Sequence, residues 1–205
     1  MVTVMASSAA MADGLSFGGG IAVTTNYLSD GLSETGNRPA VQPYFEVSKN
    51  GFYGGVFASN VRDPDGNRVA LDISAGYRGE IAAGLGYDFG YTHHFLNRTR
   101  SASGELSAAI DYPLGQRATV TAEASYDVSE KTFGGNLGAE YLLSDAWTAN
   151  AVIGQSDATV GRFWGAGVAY RVNDRTSLEL QYQDTATTKG LAALTLTYGF
   201  GEAAR

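Results

Sequence analysis

Past residue 13, hydrophobic and polar positions alternate with a dominant period of two. Val69, Leu71, Ile73, Ala75 and Tyr77 interleave with Ala70, Asp72, Ser74, Gly76 and Arg78. Ala118, Val120, Ala122, Ala124, Tyr126 and Val128 interleave with Thr119, Thr121, Glu123, Ser125 and Asp127, and Leu194, Leu196, Tyr198 and Phe200 with Thr195, Thr197 and Gly199. One face of each segment is apolar and the other small or polar, which is strand periodicity, not helix periodicity. The runs exceed the ~5–6 residues usual in soluble sheets. They suit the ~9–11 residues of a tilted strand crossing a bilayer. The pattern predicts about twelve strands, near 16–26, 40–49, 51–60, 68–78, 80–93, 104–113, 116–128, 132–143, 146–155, 161–172, 175–184 and 190–200.

Short and long joints alternate between these strands. Lys49-Asn50-Gly51, Arg78-Gly79-Glu80, Pro113-Leu114-Gly115-Gln116, Ser144-Asp145 and Asn173-Asp174 read as tight turns. Longer polar joints cover 27–38, 61–67, 94–103, 155–160 and 184–189, with Ser129–Lys131 short for that series. The prediction is an all-β, transmembrane antiparallel up-and-down barrel of about twelve strands, turns on one rim and loops on the other. Parity places Val41, Phe45, Val47, Val56, Leu71, Ile73, Leu85, Ile110, Val120, Leu137, Ile153, Val168, Leu180 and Leu196 towards lipid. Aromatics collect at both strand ends, as in the interfacial girdles of membrane barrels. A secreted soluble barrel with its apolar face inward is the alternative, at eight strands. Pro43 opposes the scheme: it cannot donate to a ladder, so its strand is expected to bulge there or to start after it.

Composition narrows the class. The 205 residues carry a formal charge of −7, with 21 acidic against 14 basic side chains, so no basic footprint for nucleic acid exists. Cys is absent, which removes disulfides, thiolate metal sites and thiol nucleophiles. No run approaches the ~18 apolar residues of a membrane helix. All three Met lie in the first twelve residues, which end Ala10-Met11-Ala12 ahead of Asp13. That A-x-A pattern reads residues 1–12 as the remnant of a secretory signal peptide, 13–200 as the barrel and 201–205 as a tail.

The stretch Thr25-Asn26-Tyr27-Leu28-Ser29-Asp30-Gly31-Leu32-Ser33-Glu34-Thr35 resembles the opening of the TorF-type porin family of proteobacterial outer membranes. The resemblance continues through Pro39–Gln42, Gly51–Val61, Leu71–Glu80 and Tyr87–Tyr91. Ser29-Asp30 stands where the family often has Phe-Arg. The resemblance implies a bacterial outer-membrane barrel in a Gram-negative cell, and carries over no catalytic residue. Leu194–Phe200 also resembles the terminal strand by which such barrels are recognised for insertion, so the barrel-assembly machinery is an expected partner.

Interior parity gathers Glu46, Asp72, Asp88, Glu105, Asp111, Glu123, Asp127, Glu140 and Glu179 against Arg78 and Arg171. These are the expected pore-lining residues. An acidic lumen holds cations and repels anions where the path is narrow. The same face carries Gly76, Gly84, Gly86, Gly90, Ala109, Gly138, Gly167 and Gly199, small residues expected to leave room. The reading is a porin-like channel for passive diffusion of small hydrophilic solutes, cation-preferring, with 27–38 folding inward as a constriction. No cofactor, metal or catalytic residue is expected; outer-membrane lipid and small solutes or ions are the partners, and a monomer is preferred. The alternatives are a structural or surface-interaction barrel with a filled lumen, and an outer-membrane lipid hydrolase. For the last, His93, His94, Ser101 and Ser103 are the candidates, although adjacent His93 and His94 point to opposite faces of a strand. Asp63–Asn67 reads as a turn and not as a calcium loop. Gly18-Gly19-Gly20 reads as a strand with close backbone approach and not as a phosphate loop.

Overall fold

A computed structural model describes residues 14–81, 84–99, 102–156 and 161–201. The residues read as the signal remnant, and all of the tail except Gly201, lie outside them. The chain runs β1 (Ser16–Thr24), β2 (Leu28–Ser29), β3 (Leu32–Ser33), β4 (Ala40–Lys49), β5 (Phe52–Asn60), β6 (Val69–Ile81) and β7 (Leu85–Leu96). It continues through β8 (Ala102–Leu114), β9 (Ala118–Asp127), β10 (Thr132–Leu142), β11 (Trp147–Gln155), β12 (Arg162–Asn173), β13 (Thr176–Thr185) and β14 (Leu191–Gly201). β1 and β4 to β14 close into one antiparallel barrel, while β2 and β3 form a small hairpin apart from it. The barrel closes through β1, which pairs with β4 from Ser16 opposite Ser48 to Thr24 opposite Ala40, and with β14 from Gly18 opposite Gly201 to Thr24 opposite Thr195.

Three sequence expectations are corrected. The Arg78-Gly79-Glu80 turn is not a turn: the β6–β7 ladder continues through Arg78 opposite Asp88 and Gly79 opposite Tyr87 to Ile81 opposite Leu85. Gly79 stays in the strand because the Tyr87 phenol lies across it, filling the space a side chain would take. Pro43 causes no bulge, and β4 runs straight through it in register with Ile21. The β4–β5 ladder begins only at Tyr44, opposite Phe57. Beyond that point the Asn60 side chain takes over, accepting the Val41 N–H at 2.8 Å and donating to the Pro39 carbonyl at 3.0 Å. Proline therefore sits where no ladder donor is required. Gly201, placed in the tail, belongs to β14. By contrast the Asn50-Gly51 turn is as expected, with positive φ at both residues (52° and 85°), the hairpin geometry that Asn-Gly favours.

The exterior is apolar from end to end of the strands. Leu137, Ile153, Leu180 and Ile110 are each more than half exposed. The girdles form as ring pairs across neighbouring strands. Phe52–Tyr77 and Trp147–Tyr170, each with centroids 4.7 Å apart, lie at the turn end. Tyr126–Phe133 at 4.6 Å and Trp164–Tyr182 at 5.5 Å lie at the loop end. Water does not tolerate so continuous an apolar surface, whereas hydrocarbon does. Among the described residues no helix is long and apolar enough to cross a membrane.

Candidate functional site in the barrel interior

Towards the turn end, β4 to β7 hold a compact charge network. Arg78 reaches Glu46 with Nη2–Oε2 at 2.6 Å and lies 3.6 Å from an Asp88 oxygen through Nε. The Tyr53 hydroxyl donates to the other Asp88 oxygen at 2.8 Å. The Arg78 guanidinium sits 3.9 Å from the centroid of the Tyr53 ring. Direct strand pairing produces this: Tyr53 is opposite Gly76, and its ring lies against that glycine because no Cβ stands there. Arg78 is opposite Asp88 on the next strand, and side chains so paired meet on one face. The network thus gathers two acids around one base.

Other carboxylates meet amides instead of bases. Glu123 accepts from Asn136 at 3.1 Å and Glu179 from Asn150 at 2.9 Å, while Glu140 lies near Glu179. Asp111 lies across Gly86, close to Glu80 and Asp88. Towards the loop end Asp72 bonds His94 at 2.8 Å through Nδ1, with Glu105 nearby.

The β2–β3 hairpin packs against the inner side of the wall at the loop end, with Leu28 buried. Its tip is tied to β13, where the Gly31 N–H donates to the inward Gln183 side chain at 2.8 Å. Its base rests on β5, with the Tyr27 and Phe57 rings edge to face at 6.2 Å. A third tie runs to the 61–68 loop, whose Arg62 N–H donates to the Glu34 carbonyl at 2.7 Å. Inside the segment, Asn26 accepts from Ser33 and Thr35, and Thr35 donates to the Arg38 carbonyl at 2.6 Å. Burial raises the Glu34 carboxyl above the usual range, reinforced by Asp30, Asp63 and Asp72; burial raises the Tyr27 phenol in the same way. Residues 27–38 therefore fold inward as a tethered hairpin.

All eleven anticipated lining residues keep interior parity within their strands. Asp127, opposite Glu105 at the loop end of β9, also caps the following turn, its Oδ1 accepting from the N–H groups of Ser129 (2.7 Å) and Glu130 (2.8 Å). Arg171 is exposed at the turn rim, where its N–H meets the Ala146 carbonyl at 2.8 Å. Glu80, expected in a turn, joins the interior face of β6 opposite Gly86, as its alternation with Ile81 signals.

Gly138 leaves room, with nothing nearer than 3.9 Å to where a Cβ would stand, but several other interior glycines are covered. Tyr53 lies over Gly76 and Gly90, Asp111 over Gly86, Asn150 over Gly167 and Phe163 over Gly154. They act as saddles for neighbouring side chains. Gly84 is not in the wall at all; it sits in the β6–β7 turn with φ +77°.

His93 faces outward, 3.0 Å from the Tyr91 hydroxyl and stacked edge-on to Phe95, so the two histidines part as expected. Ser103 is opposite His94 in register, yet no hydrogen bond joins them; Ser101 lies outside the described residues. Among the described residues no cluster of three or more acidic or histidine side chains forms a metal site. Asp63 makes the anticipated turn, accepting from Asn67 at 2.8 Å (backbone) and 2.6 Å (side chain). These donors, the Asn67 amide first, hold the Asp63 carboxyl below the ordinary range.

A closed antiparallel barrel with an apolar exterior, aromatic girdles and an acidic interior is a membrane barrel of the outer-membrane type. The chain belongs to the family described as "Bacterial protein of unknown function (Gcw_chp)", whose model matches residues 8–202. No curated protein matches it in sequence. Among solved structures it is similar to a KdgM porin, at 9% identity and TM-score 0.71, over 89% of this chain and 99% of that one. A KdgM porin in complex with disordered oligogalacturonate superposes at 7% identity and TM-score 0.66, over 90% and 99%. Outer membrane phospholipase A from Escherichia coli does so at 12% identity and TM-score 0.53, over 89% and 91%. At such identities the likeness is one of fold.

Proposed function

We propose that the chain is a bacterial outer-membrane channel for passive diffusion of small hydrophilic solutes, with a preference for cations. The observation that carries this reading is the charge of the inner wall. Glu46, Asp72, Glu80, Asp88, Glu105, Asp111, Glu123, Asp127, Glu140 and Glu179 share the interior face with Arg78 and Arg171, and Arg78 is held by Glu46 and Asp88. In a narrow water-filled path such a surplus attracts cations and repels anions. Oligogalacturonate, seen with the KdgM porin, is a polyanion; this wall favours the opposite charge. The resemblance of residues 25–91 to TorF-type porins supports the same reading, with outer-membrane lipid and the barrel-assembly machinery as partners and a monomer as the working unit.

The test is single-channel recording of the refolded protein in a planar bilayer under a KCl gradient. Stepwise currents with a reversal potential towards that of K⁺ are expected. Steps with anion preference would remove the charge assignment, and an inserted barrel without steps would remove the channel. In that case a structural barrel with a filled lumen becomes the better reading. The side chains seated on interior glycines and the hairpin packed inside the wall favour that second reading. A lipid hydrolase has less support, because His94 bonds Asp72 but not Ser103.

A further inference from the structure

Four arginines gather in one sector of the loop-end rim. Arg38 precedes β4, Arg62 and Arg68 bracket the loop between β5 and β6, and Arg98 follows β7; all four are exposed. The loops that carry them are bound together. Asn67 is fully buried, and its Oδ1 accepts the N–H groups of Arg98 at 2.9 Å and Thr99 at 3.0 Å. The Arg68 N–H donates to the Asn97 side chain at 2.8 Å, and Arg68 Nη1 to the Asn67 carbonyl at 3.0 Å. The Arg98 guanidinium lies against Gly66, and the Arg62 stem passes beside Gly36. Among the described residues no carboxylate forms an ion pair with any of the four. Asp63 is occupied by Asn67, which leaves Asp65 as the exposed acid of that loop. Elsewhere on the loop rim the described bases are Lys131, Arg162 and Lys189, one to a joint. Below the cluster the outer wall is apolar: Val41, Val69, Leu71 and Phe95 are exposed, with Leu71 and Phe95 opposite each other in register.

We infer that this sector binds the phosphate-bearing head groups of lipids in the outer leaflet. The longer loops of outer-membrane barrels face outside the cell, so the four guanidinia stand where the head groups of that leaflet begin. A guanidinium meets phosphate oxygens with two parallel N–H···O bonds and is weakly enough hydrated to exchange water for them. Asn67 already orders the loops, so binding need not fix the backbone. The apolar strip beneath selects a lipid over a free anion: one molecule sets its phosphate on the rim and its acyl chain along Val69, Leu71 and Phe95. The inference stands on the outer-membrane location and is independent of what the lumen conducts.

The test uses the full chain refolded in neutral detergent micelles. It is titrated with diphosphorylated lipid A and, in parallel, with the same glycolipid stripped of its phosphates, and bound lipid is counted by native mass spectrometry. The wild type is expected to bind the phosphorylated form about 100-fold tighter, at about fivefold for each basic side chain in contact with an anionic lipid surface. Arg62→Gln combined with Arg98→Gln should lose about 25-fold of that preference. Arg117→Gln combined with Arg175→Gln, at the turn rim, should leave it unchanged. Equal losses in the two double variants would reduce the effect to net charge and overturn the site. Displacement of the glycolipid by millimolar inorganic phosphate would mark a free-anion site and overturn the lipid assignment. The wild type alone decides the matter should a variant fail to refold: equal affinity for the two glycolipids would overturn the inference.

Discussion

The backbone N–H of Gly31 donates to the side chain of Gln183, 2.8 Å away and 152 residues later in the chain. That bond fixes the tip of the β2–β3 hairpin to β13, two strands along the wall from β1. Gly31 has φ +83°, and a Cβ there would run into the Thr185 methyl group, so the approach depends on glycine. Gln183→Leu leaves a buried N–H without a partner, at a cost of about 1–3 kcal/mol, comparable to the tie itself. The hairpin should then leave the wall. Single-channel conductance is expected to rise and to fluctuate between levels, and Gly31→Val should reproduce it; an unchanged single level in both variants would show that the hairpin does not narrow the path.

Glu34 sets a pH dependence with a definite sign. Its carboxyl titrates above the ordinary range because burial disfavours the charged form. The seated hairpin therefore binds protons more readily than the released one, and seating strengthens as pH falls through the carboxylate range just above about 4.3. Conductance should drop on acidification in that window. Glu34→Gln should flatten the response, and recordings between pH 7 and pH 4 decide it.

Asp63 works in the other direction. Its carboxylate is held low by the Asn67 amide and by nearby backbone N–H groups. The order it gives to the 61–68 loop is complete above the unfolded value near 3.9 and is lost only as pH falls through its lower folded value. Amide exchange of Gly66 and Asn67 should stay slow at pH 4 and quicken well below it. Asp63→Ala should make that exchange fast at every pH.

The in–out assignment of the strands predicts a contrast between neighbours. Leu137 is 57% exposed on the outer face near the middle of β10, and Asn136 beside it bonds the interior Glu123. Leu137→Lys should destabilise the barrel by about 2–4 kcal/mol in a bilayer, the cost of a charge facing lipid at mid-depth. Asn136→Lys should be nearly neutral in stability, since it brings a base to an acid. Denaturant unfolding in lipid vesicles measures both.

The strands were legible because each depends on local alternation, and lipid outside with water inside enforces that alternation for the whole length. What was not legible depends on the neighbouring strand. Arg78-Gly79-Glu80 has turn composition, yet Tyr87 covers Gly79 and the ladder continues. Pro43 looks disruptive until Asn60 is seen to complete the edge. The interior glycines read as empty space, and only the register brings Tyr53 onto Gly76 or Phe163 onto Gly154. Parity gave the acids themselves, but not that Asp127 would also cap a turn or that Arg78 would lie between two carboxylates over a ring.

The seam between β1 and β14 governs the order of assembly. It joins Gly18 to Gly201 and Thr24 to Thr195, partners as far apart in sequence as the barrel allows. Every other strand contact of the barrel lies between neighbours in the chain order of its strands and can form as soon as both are present. Until the last strand arrives, the growing sheet has two raw edges, one on β1 and one on β14's neighbour β13, each an invitation to pair with another chain. The slow, risky step of folding is thus the final one, and a nascent barrel needs its edges guarded until that step is done.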